Sequence, residues 1–155
     1  MRGKPAPKRN IEGDTKYNDQ NIAKFINYIM ERGKKSVAER ILYDAFEILK
    51  DKTKQDPRHI FNKAIKKVTP LVEVRGKRVG GANFQVPFQV RGERRYFLAC
   101  NWIINAANDR KGRSTASKLA AEIFDASEGE GTAVKKREAV HKMAEANKAF
   151  AHFSR

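Results

Sequence analysis

The stretch Leu71–Arg95, LVEVRGKRVGGANFQVPFQVRGERR, decides the fold. Two alternating runs, Leu71–Val79 and Phe84–Val90, flank the cluster Gly80-Gly81-Ala82-Asn83. Glycine adopts positive φ without steric cost and asparagine visits it readily, so the cluster predicts a tight reversal between antiparallel strands. A two-residue loop (Gly80-Gly81) and a four-residue loop (Gly80–Asn83) give the same parity. In both, Leu71, Glu73, Arg75, Lys77 and Val79 share a face with Phe84, Val86, Phe88 and Val90. Pro87 lacks an N–H donor, which suits a two-stranded ribbon that is all edge. A lone hairpin is marginally stable in water, so the ribbon needs something to lie against, and its cations interleaved with aromatic surface suit a polyanion.

Helical periodicity surrounds the ribbon. Upstream, Asp56-Pro57 predicts a cap and first-turn proline for a helix with Ile60, Phe61, Ala64, Ile65 and Val68 inward, ended by Pro70. A helix from about Ser36 to Lys52 carries Ala38, Ile41, Leu42, Ala45, Phe46 and Leu49 on one face. The first helix carries Ile22, Phe25, Ile26, Ile29 and Met30, capped by Asn18 or Asp19 and stopped at Gly33. Downstream, a fourth helix starts near Gly92-Glu93 with Leu98, Trp102 and Ala106 inward. Its first turn presents Arg94 and Arg95, where cations oppose the helix dipole; they are expected to serve a ligand and to be dispensable for folding. Arg110-Lys111-Gly112-Arg113 is a basic connector, after which Ser114 caps a fifth helix with Leu119, Ala120, Ile123 and Phe124 inside. Glu128-Gly129-Glu130-Gly131 breaks it, and a sixth helix runs from Thr132 toward Phe150 with a thin stripe of Val140, Met143, Ala144 and Asn147. Lys135-Lys136-Arg137 again places cations at a helix start. The reading is a mainly α chain: one six-helix domain, residues 17–155, with a protruding β-hairpin arm at 71–91, preceded by a flexible basic extension at 1–16.

The bulk numbers point to the same partner. Lys and Arg number 33 against 18 Asp and Glu, a net charge of +15, which repels itself unless something anionic neutralises it. Nucleic acid is the expected partner, with an anionic membrane the weaker option. The single Cys100 excludes an internal disulfide and fits a reducing compartment. No apolar run reaches membrane-spanning length, and the N-terminus lacks the apolar core of a signal peptide. Gly33-Lys34-Lys35-Ser36 echoes the end of a phosphate-binding loop, but Tyr28 stands where that motif needs glycine and Lys35 where it needs Ser or Thr, so nucleotide hydrolysis is rejected. His59, His141 and His152 have no metal-ligand spacing, and no base accompanies Cys100. Neither a cofactor, a metal nor catalysis is expected. The runner-up, a helix-turn-helix DNA binder, lacks an evident base-reading helix.

The blocks Gly33-Lys34-Lys35-Ser36, Val72-Glu73-Val74-Arg75, Arg78-Val79-Gly80-Gly81-Ala82, Gln85-Val86-Pro87, Ala133–Glu138 and His141–His152 follow one another in family order. On them the chain resembles the bacterial-type small-subunit ribosomal protein seven family. The resemblance implies six helices with a β-ribbon between the third and fourth. It also implies a primary binder of small-subunit ribosomal RNA that nucleates assembly of the head (3′ major) domain. The family lies near exit-site tRNA and the messenger path, beside small-subunit protein number eleven, and some members repress their own operon. The implied location is the cytoplasmic ribosome, with an organellar origin left open. Carried onto this chain, the RNA contacts are Lys8, Arg9, Lys34, Lys35, Arg75, Lys77, Arg78, Arg91, Arg94, Arg95, Lys111, Arg113, Lys135, Lys136 and Arg137. Arg78, Gly80, Gly81 and Phe84 are placed toward tRNA and messenger. The chain departs from the family at Gly76-Lys77, Asn83-Phe84 and Phe153-Ser154-Arg155.

Overall fold

In a computed structural model, Gly3, Ala6 and residues 10–154 are described. Their order is α1 (Gln20–Ile29), α2 (Lys35–Thr53), α3 (Pro57–Val68), β1 (Val72–Val79), β2 (Ala82–Gln89), α4 (Glu93–Asp109), α5 (Thr115–Glu128), α6 (Thr132–Ala146) and a 3-10 helix, Lys148–Ser154. Two compact units divide between Arg40 and Ile41.

In the first unit the Asp14 carboxylate accepts from the amides of Lys16 (3.1 Å) and Tyr17 (2.9 Å), forming a turn that leads to α1. Asp19 caps α1 by accepting from the Asn21 amide at 2.7 Å. Ile22, Ala23, Phe25 and Ile26 are buried, as the period demands. Met30 leaves the helix as its extended C-cap, and Gly33 turns the chain at φ +76°.

In the second unit, α3 has the predicted cap: Asp56 accepts from the Arg58 amide at 2.9 Å, with Pro57 at the first turn. Its inward residues, Ile60, Phe61, Ala64, Ile65 and Val68, are all buried, and Phe61 meets Phe46 of α2 at 5.8 Å between ring centroids. α3 packs on α5, and α5 on α4. The phase of α4 differs from expectation. Its buried face is Ala99, Cys100, Ile103, Ala106 and Ala107, while Leu98 and Trp102 are only half-buried. Small residues let helices approach closely, and the bulky indole stays at the margin. Burial pushes the Cys100 thiol up to about 12, so it stays protonated and inert.

α6 begins without a side-chain cap at Gly131. The fully buried carboxylate of Glu122, on α5, does that work instead, accepting the Ala133 amide at 2.9 Å. Its other oxygen binds Arg110, which also reaches Asp125 at 2.5 Å. α6 ends at Ala146, short of the expected Phe150, because Asn147 turns its amide side chain onto the Met143 carbonyl at 2.8 Å. Met143 is 50% exposed, not inward, whereas Ala144 is buried as expected, together with Ala133 and Val134.

The ribbon pairs Val72 with Gln89 through Val79 with Ala82, which selects the two-residue loop. Gly80 and Gly81 have φ of +56° and +89°, the doubly left-handed turn that matches strand twist. The face predicted from parity is the packed one: Glu73, Val86 and Val90 are buried. What it lies against is the chain itself, since α6 packs on β1 and the 3-10 helix on β2. The Leu71 amide donates to His141 Nε2 at 3.1 Å.

Two outcomes follow from these joints. A Cβ at Gly131 would lie 2.7 Å from Glu122 Oε1 and 3.0 Å from the Ala126 amide nitrogen. Gly131→Ala should therefore destabilise by about 1–3 kcal/mol in urea unfolding; an unchanged midpoint contradicts the close approach. Burial, and then the charge of Arg137, holds His141 below its usual 6.5. The folded chain thus takes up this proton less readily than the unfolded one, so the contact's contribution is whole above that usual value and is lost as pH falls below it. Hydrogen-exchange protection of the Leu71 amide, corrected for intrinsic rate, should hold above pH 6.5 and fall as the pH drops below it, and should not in His141→Gln.

Candidate nucleic-acid interface

The positions named from sequence fall into three sets. Lys8 and Arg9 lie outside the described residues. Lys34, Arg78, Lys111, Arg113, Lys135 and Lys136 are exposed and make no ion pair among the described residues. Their places explain that exposure. Lys34 follows the Gly33 turn, Arg78 points to the open face of the ribbon beside Gly80-Gly81, Lys111 and Arg113 occupy the α4–α5 connector, and Lys135 and Lys136 lie in the first turns of α6. Lys35, the first residue of α2, pairs loosely with Glu39 at 3.9 Å. Arg91 follows β2 and lies 3.5 Å from Gln89 Oε1.

A second set is engaged inside the fold. Arg94 donates to Glu73 Oε2 through Nε (3.3 Å) and Nη2 (3.1 Å). Arg75 pairs with the other oxygen of Glu73. Arg95 Nε donates to the Pro70 carbonyl at 3.2 Å. Arg137 donates to the Lys67 carbonyl at the end of α3, where a cation complements the dipole, and to Glu138 at 3.0 Å.

The third set, Lys77 and Phe84, lies under the C-terminal 3-10 helix. Lys77 Nζ donates to the Phe153 carbonyl at 2.7 Å. The Phe84 ring meets Phe150 at 5.1 Å and Phe153 at 5.4 Å. Phe84 is thus part of an aromatic cluster and not a free ring at a solvated tip. Sequence reasoning missed Glu73, Phe150 and Phe153 as site-shaping residues. A lone acid on a cationic ribbon face was the available signal for Glu73; nothing local marked the two phenylalanines.

Among the described residues no group of His, Cys, Asp and Glu could hold a metal, and no helix is long and apolar enough to cross a membrane. The arrangement offers guanidinium and ammonium groups, backbone turns and one aromatic cluster: the chemistry of phosphate and base contact.

The contacts of Arg94 and Arg95 run against the expectation that they are dispensable for folding. A nearly buried carboxylate and a carbonyl take up the two guanidinium groups that the helix dipole disfavours. Arg94→Ala with Arg95→Ala should lower stability by about 1–3 kcal/mol in chemical denaturation, since Glu73 loses a charged partner. A variant as stable as the parent contradicts this.

The family model for ribosomal protein S7p/S5e matches residues 1–148. Proteins named small ribosomal subunit protein uS7 are similar along nearly the whole chain. That of Carboxydothermus hydrogenoformans is 56% identical over 149 residues, covering 96% of each chain. That of Azotobacter vinelandii is 54% identical over 152 residues, covering 98% of this chain and 97% of its own. That of Chloroherpeton thalassium is 53% identical over 153 residues, covering 99% of both. A helical chain with its ribbon between α3 and α4, carrying exposed cations and no catalytic constellation among its described residues, belongs with these relatives: it is a member of the ribosomal protein S7p/S5e family, structural constituents of the small ribosomal subunit rather than enzymes.

Proposed function

We propose that the chain is a primary binder of small-subunit ribosomal RNA, nucleating assembly of the head domain from the cytoplasmic pool of ribosomal components. The observation that carries this reading is an asymmetry in how charge is used. Glu73, Glu122, Asp125, Glu128 and Glu138 are each paired with a cation of the same chain. Arg78, Lys111, Arg113, Lys135 and Lys136 stand exposed without such partners among the described residues. These acids, two of them buried, are engaged by cations of the same chain, and cations of the +15 excess are left for an external polyanion. Lys8, Arg9, Lys34, Lys35, Arg75, Lys77, Arg91, Arg94, Arg95 and Arg137 complete the proposed RNA-contacting set. The ribbon tip, Arg78 with Gly80, Gly81 and the Phe84 cluster, is directed at exit-site tRNA and the messenger path, with small-subunit protein eleven as neighbour. Repression of the chain's own message belongs to the same reading, because an RNA mimic of the ribosomal site would meet the same cations.

A filter-binding titration on a transcript of the small-subunit head domain tests it. With about six to ten phosphates neutralised, log affinity should fall against log salt with a slope of about −0.7 to −0.9 per phosphate. The transcript should outcompete duplex DNA at equal salt. A slope near zero, or DNA binding as tightly, contradicts the proposal.

A further inference from the structure

We infer that Glu73 is a positioning residue for RNA binding, holding Arg75 and Arg94 as two pre-oriented guanidinium forks at the base of the ribbon. The inference rests on the reading that this chain binds ribosomal RNA. Glu73 is only 7% exposed, and a carboxylate that deep in the fold must be paired. It is paired twice. Oε1 takes Arg75, two residues along the same strand face, and Oε2 takes Arg94, from the first turn of α4. One carboxylate therefore joins strand to helix through two arginines. Each guanidinium also lies over a ring, Arg75 over Phe88 at 5.4 Å and Arg94 over Phe97 at 5.2 Å. Phe88 is itself the cross-strand neighbour of Glu73, so the parity of the ribbon places acid, ring and Arg75 together.

The two arginines nonetheless keep 55% and 47% of their side-chain surface exposed. A guanidinium carries five donors, more than either spends on one carboxylate oxygen. A free arginine loses much rotamer freedom when a phosphate captures it; one already held by a carboxylate and a ring has lost that freedom on folding. Glu73 thus favours anion binding although it is itself an anion.

That sign makes the inference testable. Glu73→Gln raises the net charge one unit above +15, so nonspecific electrostatics demands equal or tighter binding. Positioning demands weaker binding, by roughly three- to tenfold, part of a charge-assisted contact. Affinity of the full-length chain for the head-domain transcript is compared at one salt concentration for the parent, Glu73→Gln, Arg75→Ala with Arg94→Ala, and the triple variant. Expected are weaker binding for Glu73→Gln and for the arginine pair, and no further loss when Glu73→Gln is added to the pair. Equal or tighter binding by Glu73→Gln overturns the inference. So does parental affinity in the pair variant, or an undiminished Glu73→Gln effect in its background, which would make the acid merely structural. Should Glu73→Gln not fold, Arg75→Lys with Arg94→Lys keeps the charge and loses the planar forks. A comparable weakening supports positioning; unchanged affinity overturns it. A parent chain that ignores the transcript overturns the RNA-binding reading itself.

Discussion

A carboxylate with no exposed surface governs the C-terminal half of this chain. Glu122 cannot remain charged inside the fold without compensation worth several kcal/mol. One of its oxygens takes Arg110 and the other the Ala133 amide in the first turn of α6. Three elements, the end of α4, the body of α5 and the start of α6, are thereby tied at one point. Gly131 is the spacer that lets them meet. Everything beyond depends on where α6 is aimed. Along it, Arg137 closes the end of α3 and His141 accepts the amide of Leu71 at the root of the ribbon. Past its end, Phe150 and Phe153 close over Phe84.

Glu73 repeats the device at the ribbon's base. In both places one buried acid spans elements distant in sequence by engaging arginine, whose planar fork suits such a joint better than a lysine ammonium. Lys34, Arg78, Lys111, Arg113, Lys135 and Lys136, by contrast, stand exposed at turns and at a helix start with no ion pair among the described residues. The chain separates its charge into an internal, compensated portion and an external excess. The first is what keeps a strongly basic protein folded; the second is available to a polyanion.

The ribbon shows how much such a separation matters. A two-stranded hairpin with this many cations is a poor independent structure, yet here its packed face is covered by α6 and by the C-terminal 3-10 helix. Phe84, Phe150 and Phe153 form a cluster that holds the tip, and Lys77 secures the last turn by its bond to the Phe153 carbonyl. The open face, with Arg78 and the polar residues opposite it, is what remains for a partner.

By itself the sequence determined what backbone periodicity and local chemistry control. The inward row of α3, most of the rows of α1 and α2 (Ile29, Met30 and Ile41 are only half-buried), the caps at Asp19, Asp56 and Ser114, the parity of the ribbon and the place of its turn were legible because each depends on residues within one or two turns of one another. The exposed cations at Lys34, Arg78, Lys111, Arg113, Lys135 and Lys136 were legible for the same reason, sitting at turns and helix starts that the pattern marks. The phase of α4 was not: alanines surround its apolar residues, so several faces fit, and close packing with α3 and α5 chose the small one. Nor could the sequence separate Arg94, Arg95 and Arg137 from the freely exposed cations. Their partners, Glu73, Pro70 and Lys67, lie far along the chain, and only the tertiary fold brought those oxygens within hydrogen-bond reach. An arginine is spent on the fold or left for a ligand according to which acceptor the packed chain carries to it, and that distance is not a local property of any sequence window.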